Sequence, residues 1–412
     1  MQRCGLLGRK LGHSYSPAIH RALGGGYSYE LFEVEPENLS SFLERRDFHG
    51  LNVTIPYKKE VIPFCGELSR VAAKIGSVNT LLRRPDGSLF GDNTDASGFL
   101  SMVKRSGIDV QGKKALVLGG GGSSLTVCYV LSELGAGEIV VISRGGENNY
   151  ENLNRHRDAQ VLVNTTPVGM YPDTDATPVS LSAFTRLEGV LDLIYNPART
   201  RLLMDAQSRD LPRLGGLTML VGQARAACEL FSGQPVDEGK ERSVIRELRR
   251  QTENIILIGM PGCGKSTIGQ RLAGIMDRPF VDADHALEAD AGLNIPEIFQ
   301  REGEEGFRER ETRILKELGK RSGLVISTGG GCVNREENYF HLRQNGTVIF
   351  LERSLHLLAR EGRPLSGGDL EAMYECRLPL YRRFADRIIQ NDAQVETVAK
   401  NVLEAAYEAI GD

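Results

Sequence analysis

Short apolar runs bounded by glycine, proline and polar residues recur along the chain, with amphipathic stretches between them. A run of roughly four to eight apolar residues between turn signals reads as a buried strand, and a period near 3.6 reads as a helix. CGLLG is then a strand that leads through a loop into a helix with Pro17 near its start. YSYELFEV, GLNVTIP, IGSVNTLLRR and SLFGDNT are further strands, and LSSFLERRD, KKEVIPFC and DASGFLSMVKRSG are helical. Strands alternating with helices predict an α/β domain. Its polar residues Ser14, Ser16, Thr54, Lys58, Asn79 and Asp95 fall at strand ends, where open α/β sheets collect ligands.

The pattern changes at Lys113. KKALVLGGGGSSLTVCYVLSELG reads as strand, glycine-rich turn and helix, the opening of a dinucleotide-binding unit. Gly119, Gly121, Gly122 and Ser123 form the turn, and Ser124 stands where a third small residue belongs. A purely structural glycine-rich turn is the alternative. The next strand, EIVVIS, ends in Ser143 and Arg144. An acidic residue there would read the ribose hydroxyls of NAD, whereas arginine suits a 2′-phosphate. VLVNTTPVGMYP, with Asn164 and Thr165 at its strand end, and GVLDLIYNP are two more strand-plus-loop units. The span from Arg144 to Asn164 is too short for a full crossover, so this sheet has lost one β-α unit, with GENNYENLNRHRDAQ as a short replacement. LTMLVGQARAACELFSG is a helix with an apolar face, and DEGKERSVIRELRR is a charged helix whose basic run is a solvated face. The expected organisation is a substrate-binding domain of residues 1–105 and 218–250 around a dinucleotide domain of residues 106–217, with a hinge at Gln251–Asn254.

Residues 253–412 open on IILIGMPGCGKSTIG. A buried strand, Ile255–Ile258, runs into a loop that fits G-x-x-x-x-G-K-[ST] at every fixed position. The glycines, Gly262 and Gly264 among them, let backbone N–H groups turn toward phosphate oxygens, and the following helix points its positive end at the anion. Lys265 reaches the outer phosphates of ATP, Ser266 is the candidate Mg²⁺ ligand, and Thr267 follows on the helix. Beyond the loop come RPFVDADHALE, helices carrying Arg308, the strand LVISTGGG, the strand GTVIFLE, a polar lid at 360–368 and a helix carrying Arg377. This predicts a compact parallel-sheet P-loop kinase domain.

Composition narrows the class. The chain of 412 residues is 41% hydrophobic and 25% charged with a net charge of −4, an ordinary globular balance that gives no reason to expect nucleic-acid or membrane binding. Seven scattered cysteines without a C-x-x-C pair fit a reduced, cytoplasmic protein. The N-terminus has no apolar leader-like run, and no segment is long and apolar enough to span a membrane.

Taken together, GHSYSPAIH, NVTIPYK, IGSVNT, GDNTDASGF, NTTPVGM and MLVGQA resemble shikimate dehydrogenase over residues 1–250. The resemblance implies reversible hydride transfer between 3-dehydroshikimate plus NADPH and shikimate plus NADP⁺. It implies that Ser14 and Ser16 hold the substrate carboxylate, and that Thr54, Asn79, Asp95, Tyr195 and Gln223 hold its hydroxyls or line the pocket. Ketone reduction needs a proton donor at the oxygen, and Lys58 with Asp95 is the candidate pair. Read without the family, the pair is a structural salt bridge first and a catalytic pair second. Two departures stand out: Arg144 is what remains of the family's basic cluster, and Leu125 replaces its arginine after the glycine loop.

PGCGKST, DADHALE, GEEGFRERE, STGGG, GRPL and CRLPLYRRFAD resemble shikimate kinase over residues 253–412. The implied acceptor is the 3-hydroxyl of shikimate. Asp284 is the implied base, Asp282 lies near Mg²⁺, Arg308 and Arg377 fork onto the substrate carboxylate, Gly330 offers backbone N–H groups, and Arg363 closes over the phosphates with a lid shorter than usual. Each arginine taken alone also reads as a surface salt bridge. The implied product of the first half is the implied acceptor of the second, which makes the chain a bifunctional enzyme of aromatic amino-acid biosynthesis. Two other readings stay open: a quinate-type dehydrogenase fused to another small-metabolite kinase, and a non-catalytic shikimate and NADP sensor that regulates the kinase.

Overall fold

The computed structural model describes residues 2–12, 14–358 and 370–411. By its contacts the chain forms two compact units, Met1–Tyr195 with Leu202–Ile245, and Asn196–Arg201 with Arg246–Asp412. Among the described residues no helix is long and apolar enough to cross a membrane.

The first unit holds two sheets. The first consists of β1 (Arg3–Gly8), β2 (Ser28–Glu33), β3 (Gly50–Val53), β4 (Glu67–Leu68), β5 (Thr80–Arg83) and β6 (Leu89–Asp92), in the order β2-β1-β3-β5-β6-β4. β1 runs parallel to β2 and β3, whereas β5 is antiparallel to β3 and β6. Leu7, Leu51, Val53, Leu81 and Leu89 send alternate side chains into one core, which leaves Asn52 and Thr80 on the other side of the pleat. The segment KKEVIPFC departs from the helix its pattern suggests: it is a series of turns ending in a 3₁₀ turn, Ile62–Phe64. Pro63 has no N–H to give a helix interior, and its ring crowds the preceding turn.

The second sheet is all parallel: β7 (Lys114–Leu118), β8 (Glu138–Ile142), β9 (Val161–Asn164), β10 (Gly189–Asp192) and β11 (Arg213–Gly215), ordered β11-β10-β9-β7-β8. Between β8 and β9 the regular structure is one short 3₁₀ turn, Leu153–His156, and among the described residues no strand lies beyond β8. The shortened crossover therefore truncates the sheet on that side. Val161, Leu162 and Val163 are all fully buried, the continuous apolar run of a strand covered on both faces.

The second unit carries a third parallel sheet of β12 (Asn254–Ile258), β13 (Phe280–Asp282), β14 (Val325–Ser327), β15 (Gly346–Glu352) and β16 (Arg387–Gln390), ordered β13-β14-β12-β15-β16. β12 is central and wholly buried. The hinge expected at Gln251–Asn254 is not a linker. The helix Glu238–Thr252 leaves only Glu253 before β12, and Glu253 is buried between Arg249, at 2.7 Å, and Arg199, at 2.9 Å. Burial alone would raise its carboxyl, but the two guanidiniums more than reverse that.

Candidate active sites

The first site forms where β3 and β6 end and the antiparallel β5 begins. Thr54 follows β3 and its N–H donates to the Leu7 carbonyl at 2.9 Å, which fixes the loop that carries Lys58. Asp95 opens the helix Asp95–Ser106. Its Oδ2 accepts from Lys58 Nζ at 2.5 Å and its Oδ1 from Asn79 Nδ2 at 2.8 Å. The Lys58 side chain is 27% exposed and that of Asp95 10%, so the lysine is the more accessible member of the pair. Ser14 and Ser16 lie at the entrance to the helix Ser16–Leu23, where the Ser16 N–H donates to Ser14 Oγ at 3.2 Å. Between them Tyr15 meets Tyr195 edge to face, with centroids 6.0 Å apart, so the loop after β10 reaches the same entrance. Gln223 is partly buried on the helix Leu217–Ser232, which packs along the helix that Asp95 begins.

On the second sheet the glycine turn follows β7. Gly119 has φ 111°, and a β-carbon there would lie 2.7 Å from Thr165 Oγ1, so only glycine fits against the strand end of β9. The helix Gly122–Glu133 starts at Gly121 without a side-chain cap, leaving the N–H groups around Gly122 and Ser123 free to meet an anion. Ser143 and Arg144 follow β8, with Arg144 exposed and without an ion pair among the described residues. Asn164 and Thr165, the candidate cofactor residues at the end of β9, differ in exposure. The Asn164 side chain is fully buried, donating to Asp192 at 3.0 Å and accepting from the Thr166 N–H and hydroxyl, so it shapes the loop and leaves the approach to Thr165.

In the second unit one cavity of about 430 Å³ gathers Lys265, Asp282, Asp284, Arg308, Gly330 and Arg377. Gly262, Gly264, Ser266 and Thr267 form its phosphate-loop wall. Lys265 is 7% exposed and donates to the carbonyls of Gly259 and Met260. Ser266 Oγ donates to Asp282 Oδ2 at 2.6 Å. Asp282 Oδ1 accepts from the Asp284 N–H, capping the helix that follows β13. Burial raises the Asp284 carboxyl and the negative charge of Asp282 adds to it, while Lys265 opposes both. Arg377 donates to the Gly330 carbonyl at 3.3 Å. Arg363 and the rest of the expected lid at 360–368 lie outside the described residues.

Glu311 is the site residue that motif reading missed. It is 3% exposed and accepts from Arg308 Nη1 at 2.7 Å, which sets the plane of that guanidinium. Burial pushes its carboxyl up, with Arg308 opposing. The signal was available: Glu311 lies one helical turn after Arg308, on the same face. Gly331 completes the fit, because a side chain there would collide with the Arg308 guanidinium.

By fold and site, the first unit is a dinucleotide-dependent oxidoreductase and the second a P-loop phosphotransferase. The family model for the shikimate dehydrogenase substrate binding domain matches residues 6–81, and that for shikimate kinase matches residues 261–407. A shikimate dehydrogenase (NADP(+)) of Clostridium perfringens is 36% identical over 269 residues, covering 60% of this chain and 99% of that protein. A chorismate mutase/shikimate 5-dehydrogenase fusion protein from Clostridium acetobutylicum superposes with a TM-score of 0.58 at 35% identity, over 60% of this chain and 97% of that one. The shikimate 5-dehydrogenase of Thermus thermophilus, solved in complex with NADP(H) and shikimate, gives 0.54 at 36% identity, over 60% and 99%. The chain belongs to the shikimate dehydrogenase family and carries a shikimate kinase domain after it, a bifunctional oxidoreductase and kinase.

Proposed function

We infer that this chain reduces 3-dehydroshikimate to shikimate with NADPH and then phosphorylates shikimate at its 3-hydroxyl with ATP, in the cytoplasm. The dehydrogenase comprises residues 1–105 and 218–250 around the NADP domain 106–217, and the kinase residues 253–412. The observation that carries the reading is Lys58 held 2.5 Å from Asp95 in the first site, on the same chain as a complete phosphate-loop cavity. A sensor that only bound ligand would have no use for a proton donor placed in this way.

In the first site, Ser14 and Ser16 hold the substrate carboxylate at the cleft entrance, with Tyr195 and Gln223 as pocket walls. Thr54, Asn79 and Asp95 take hydroxyls. Bound NADPH supplies the hydride. Lys58 delivers a proton to the carbonyl oxygen and its charge stabilises the alkoxide that forms there. The turn at Gly119, Gly121, Gly122 and Ser123 fits a pyrophosphate, with Thr165 beside it, and Ser143 and Arg144 lie where a 2′-phosphate would fall. Arg144→Ala is expected to raise KM for NADPH by about tenfold, one charge-assisted hydrogen bond at an exposed site, and to leave the KM for NADH unchanged. Steady-state kinetics with both cofactors check this.

In the second site, Arg308 and Arg377 fork onto the carboxylate and the Gly330 backbone faces the ring. Asp284 accepts the proton of the attacking hydroxyl. ATP supplies the phosphoryl group, and Gly262, Gly264, Lys265, Ser266 and Thr267 cradle its phosphates. Mg²⁺ fits the oxygen donors of Ser266 and Asp282, 2.6 Å apart. The test is a two-stage assay on purified protein. Shikimate should drive NADP⁺ reduction in the absence of ATP, and should drive ADP release in the absence of NADP⁺. Failure of the first stage with success of the second would leave the sensor reading in its place.

A further inference from the structure

Behind the Lys58–Asp95 pair lies a buried chain of hydrogen bonds whose donors all point one way. Tyr29, beside Ser16, donates its hydroxyl to Asn52 Oδ1 at 2.8 Å. Asn52 Nδ2 donates to Thr80 Oγ1 at 3.2 Å, and Thr80 Oγ1 donates to Asn79 Oδ1 at 3.0 Å. Asn79 Nδ2 then donates to Asp95 Oδ1 at 2.8 Å. Thr94 Oγ1 closes the side of the chain, 3.0 Å from Thr80 Oγ1 and 3.2 Å from Asn79 Oδ1. Thr80 and Thr94 are each 1% exposed and Asn79 is 4%.

The direction of the chain follows from one donor that cannot reverse. The Thr94 N–H meets Asn79 Oδ1 at 2.7 Å. A backbone N–H only donates, so the amide oxygen of Asn79 faces it and the NH₂ group must face Asp95. Strand register places the other members. Asn52 on β3 is the direct partner of Thr80 on β5, and Thr80 in turn is the partner of Asp92 on β6. Leu51 and Leu81 point to the core on the opposite side of the pleat, so Asn52 and Thr80 are forced onto one side together. A hydroxyl at position 80 accepts from Asn52 and donates to Asn79 through a single atom.

We propose that Thr80 is a positioning residue of the dehydrogenase, whose hydroxyl locks the Asn79 amide and through it the orientation of the Asp95 carboxylate that holds Lys58. This rests on the dehydrogenase reading of the cleft. Thr80 touches neither substrate nor cofactor in this role. Its loss leaves Asn52 Nδ2 without an acceptor and removes the lateral brace on Asn79. Aligned chains of this kind strengthen along their length, so a break in the middle is felt at the end.

The test compares Thr80→Val, which keeps the shape and β-branching of the side chain, with Thr80→Ser, which keeps the hydroxyl. In full-length protein, T80V is expected to lower kcat for shikimate-dependent NADP⁺ reduction by about 10–100-fold, the effect of a small misplacement at the reacting centre. The KM for NADP⁺ and the ATP-dependent phosphorylation of shikimate should stay at wild-type values, and T80S should restore kcat. If T80V does not fold, shown by loss of NADP⁺ binding to the dehydrogenase unit, Thr80→Ala carries the same comparison. A T80V enzyme with wild-type kcat, or a T80S enzyme as slow as T80V, would overturn the role. Wild-type protein without NADP⁺ reduction would overturn the dehydrogenase reading itself, and the positioning role with it.

Discussion

Lys58→Ala is expected to lower kcat/KM for shikimate-dependent NADP⁺ reduction by about 10²–10⁴ and to leave phosphorylation of supplied shikimate intact. The range is that of losing a positioned general acid together with its charge on the alkoxide. Lys58 is partly exposed while Asp95 is buried, so the lysine is the more accessible member of the pair. Asp95 keeps its bond from Asn79 in the variant, which limits the disturbance left behind. Lys58→Met separates chemistry from packing, because it retains the apolar stem without the ammonium. Both variants should show the same loss. NADP⁺ binding by the same preparation reports whether the dehydrogenase unit is folded, and loss of both activities in a variant that still binds NADP⁺ would mean that the two sites are not separate.

Asp284→Asn removes kinase activity by about 10²–10⁴ and leaves the dehydrogenase unchanged. The isosteric amide keeps the helix start but cannot take the hydroxyl proton. The wild-type enzyme carries a second signature. Burial, with Asp282 adding to it, raises the Asp284 carboxyl, so it holds its proton up to a higher pH than the roughly 3.9 of an ordinary aspartate. Only the deprotonated form can act as base. The kinase kcat/KM should therefore fall as pH decreases, starting at a higher pH than for an unperturbed carboxylate, and the acid limb should be missing from any residual activity of D284N. An acid limb that persists in D284N would assign it to another group, with Glu311, also raised by burial, as the first alternative.

The phosphate loop was legible in the sequence because each of its parts is local: a buried strand, glycines at fixed spacing, then Lys265 and Ser266 on the first helical turn. Lys58 and Asp95 were legible as residue types at strand ends, while the distance between them was not. The segment KKEVIPFC shows the limit of pattern: its apolar spacing fits a helix, but Pro63 within it stops one. The inward turn of Asn164 to Asp192 was likewise invisible in the sequence, because it depends on β9 and β10 lying side by side.

The order of strands and helices, the phosphate loop, the shortened crossover after Arg144 and the identity of the residues that carry chemistry could all be read from the chain alone. These depend on interactions between neighbours along it, so spacing records them. Which of those residues meet is a matter of packing. Glu311 becomes a site residue because helix packing buries it against Arg308 beneath the run Gly329–Gly331. Asn52, Thr80 and Asn79 become one chain of hydrogen bonds because the register of β3 against β5 puts Asn52 and Thr80 on one face, next to Asn79. Register is set by the whole buried surface of a sheet, and a slip of one residue would turn each of these strand groups to the opposite side. The aim of Asp95 at Lys58 is therefore a property of the packed sheet, supplied by strands whose own sequences carry no sign of it.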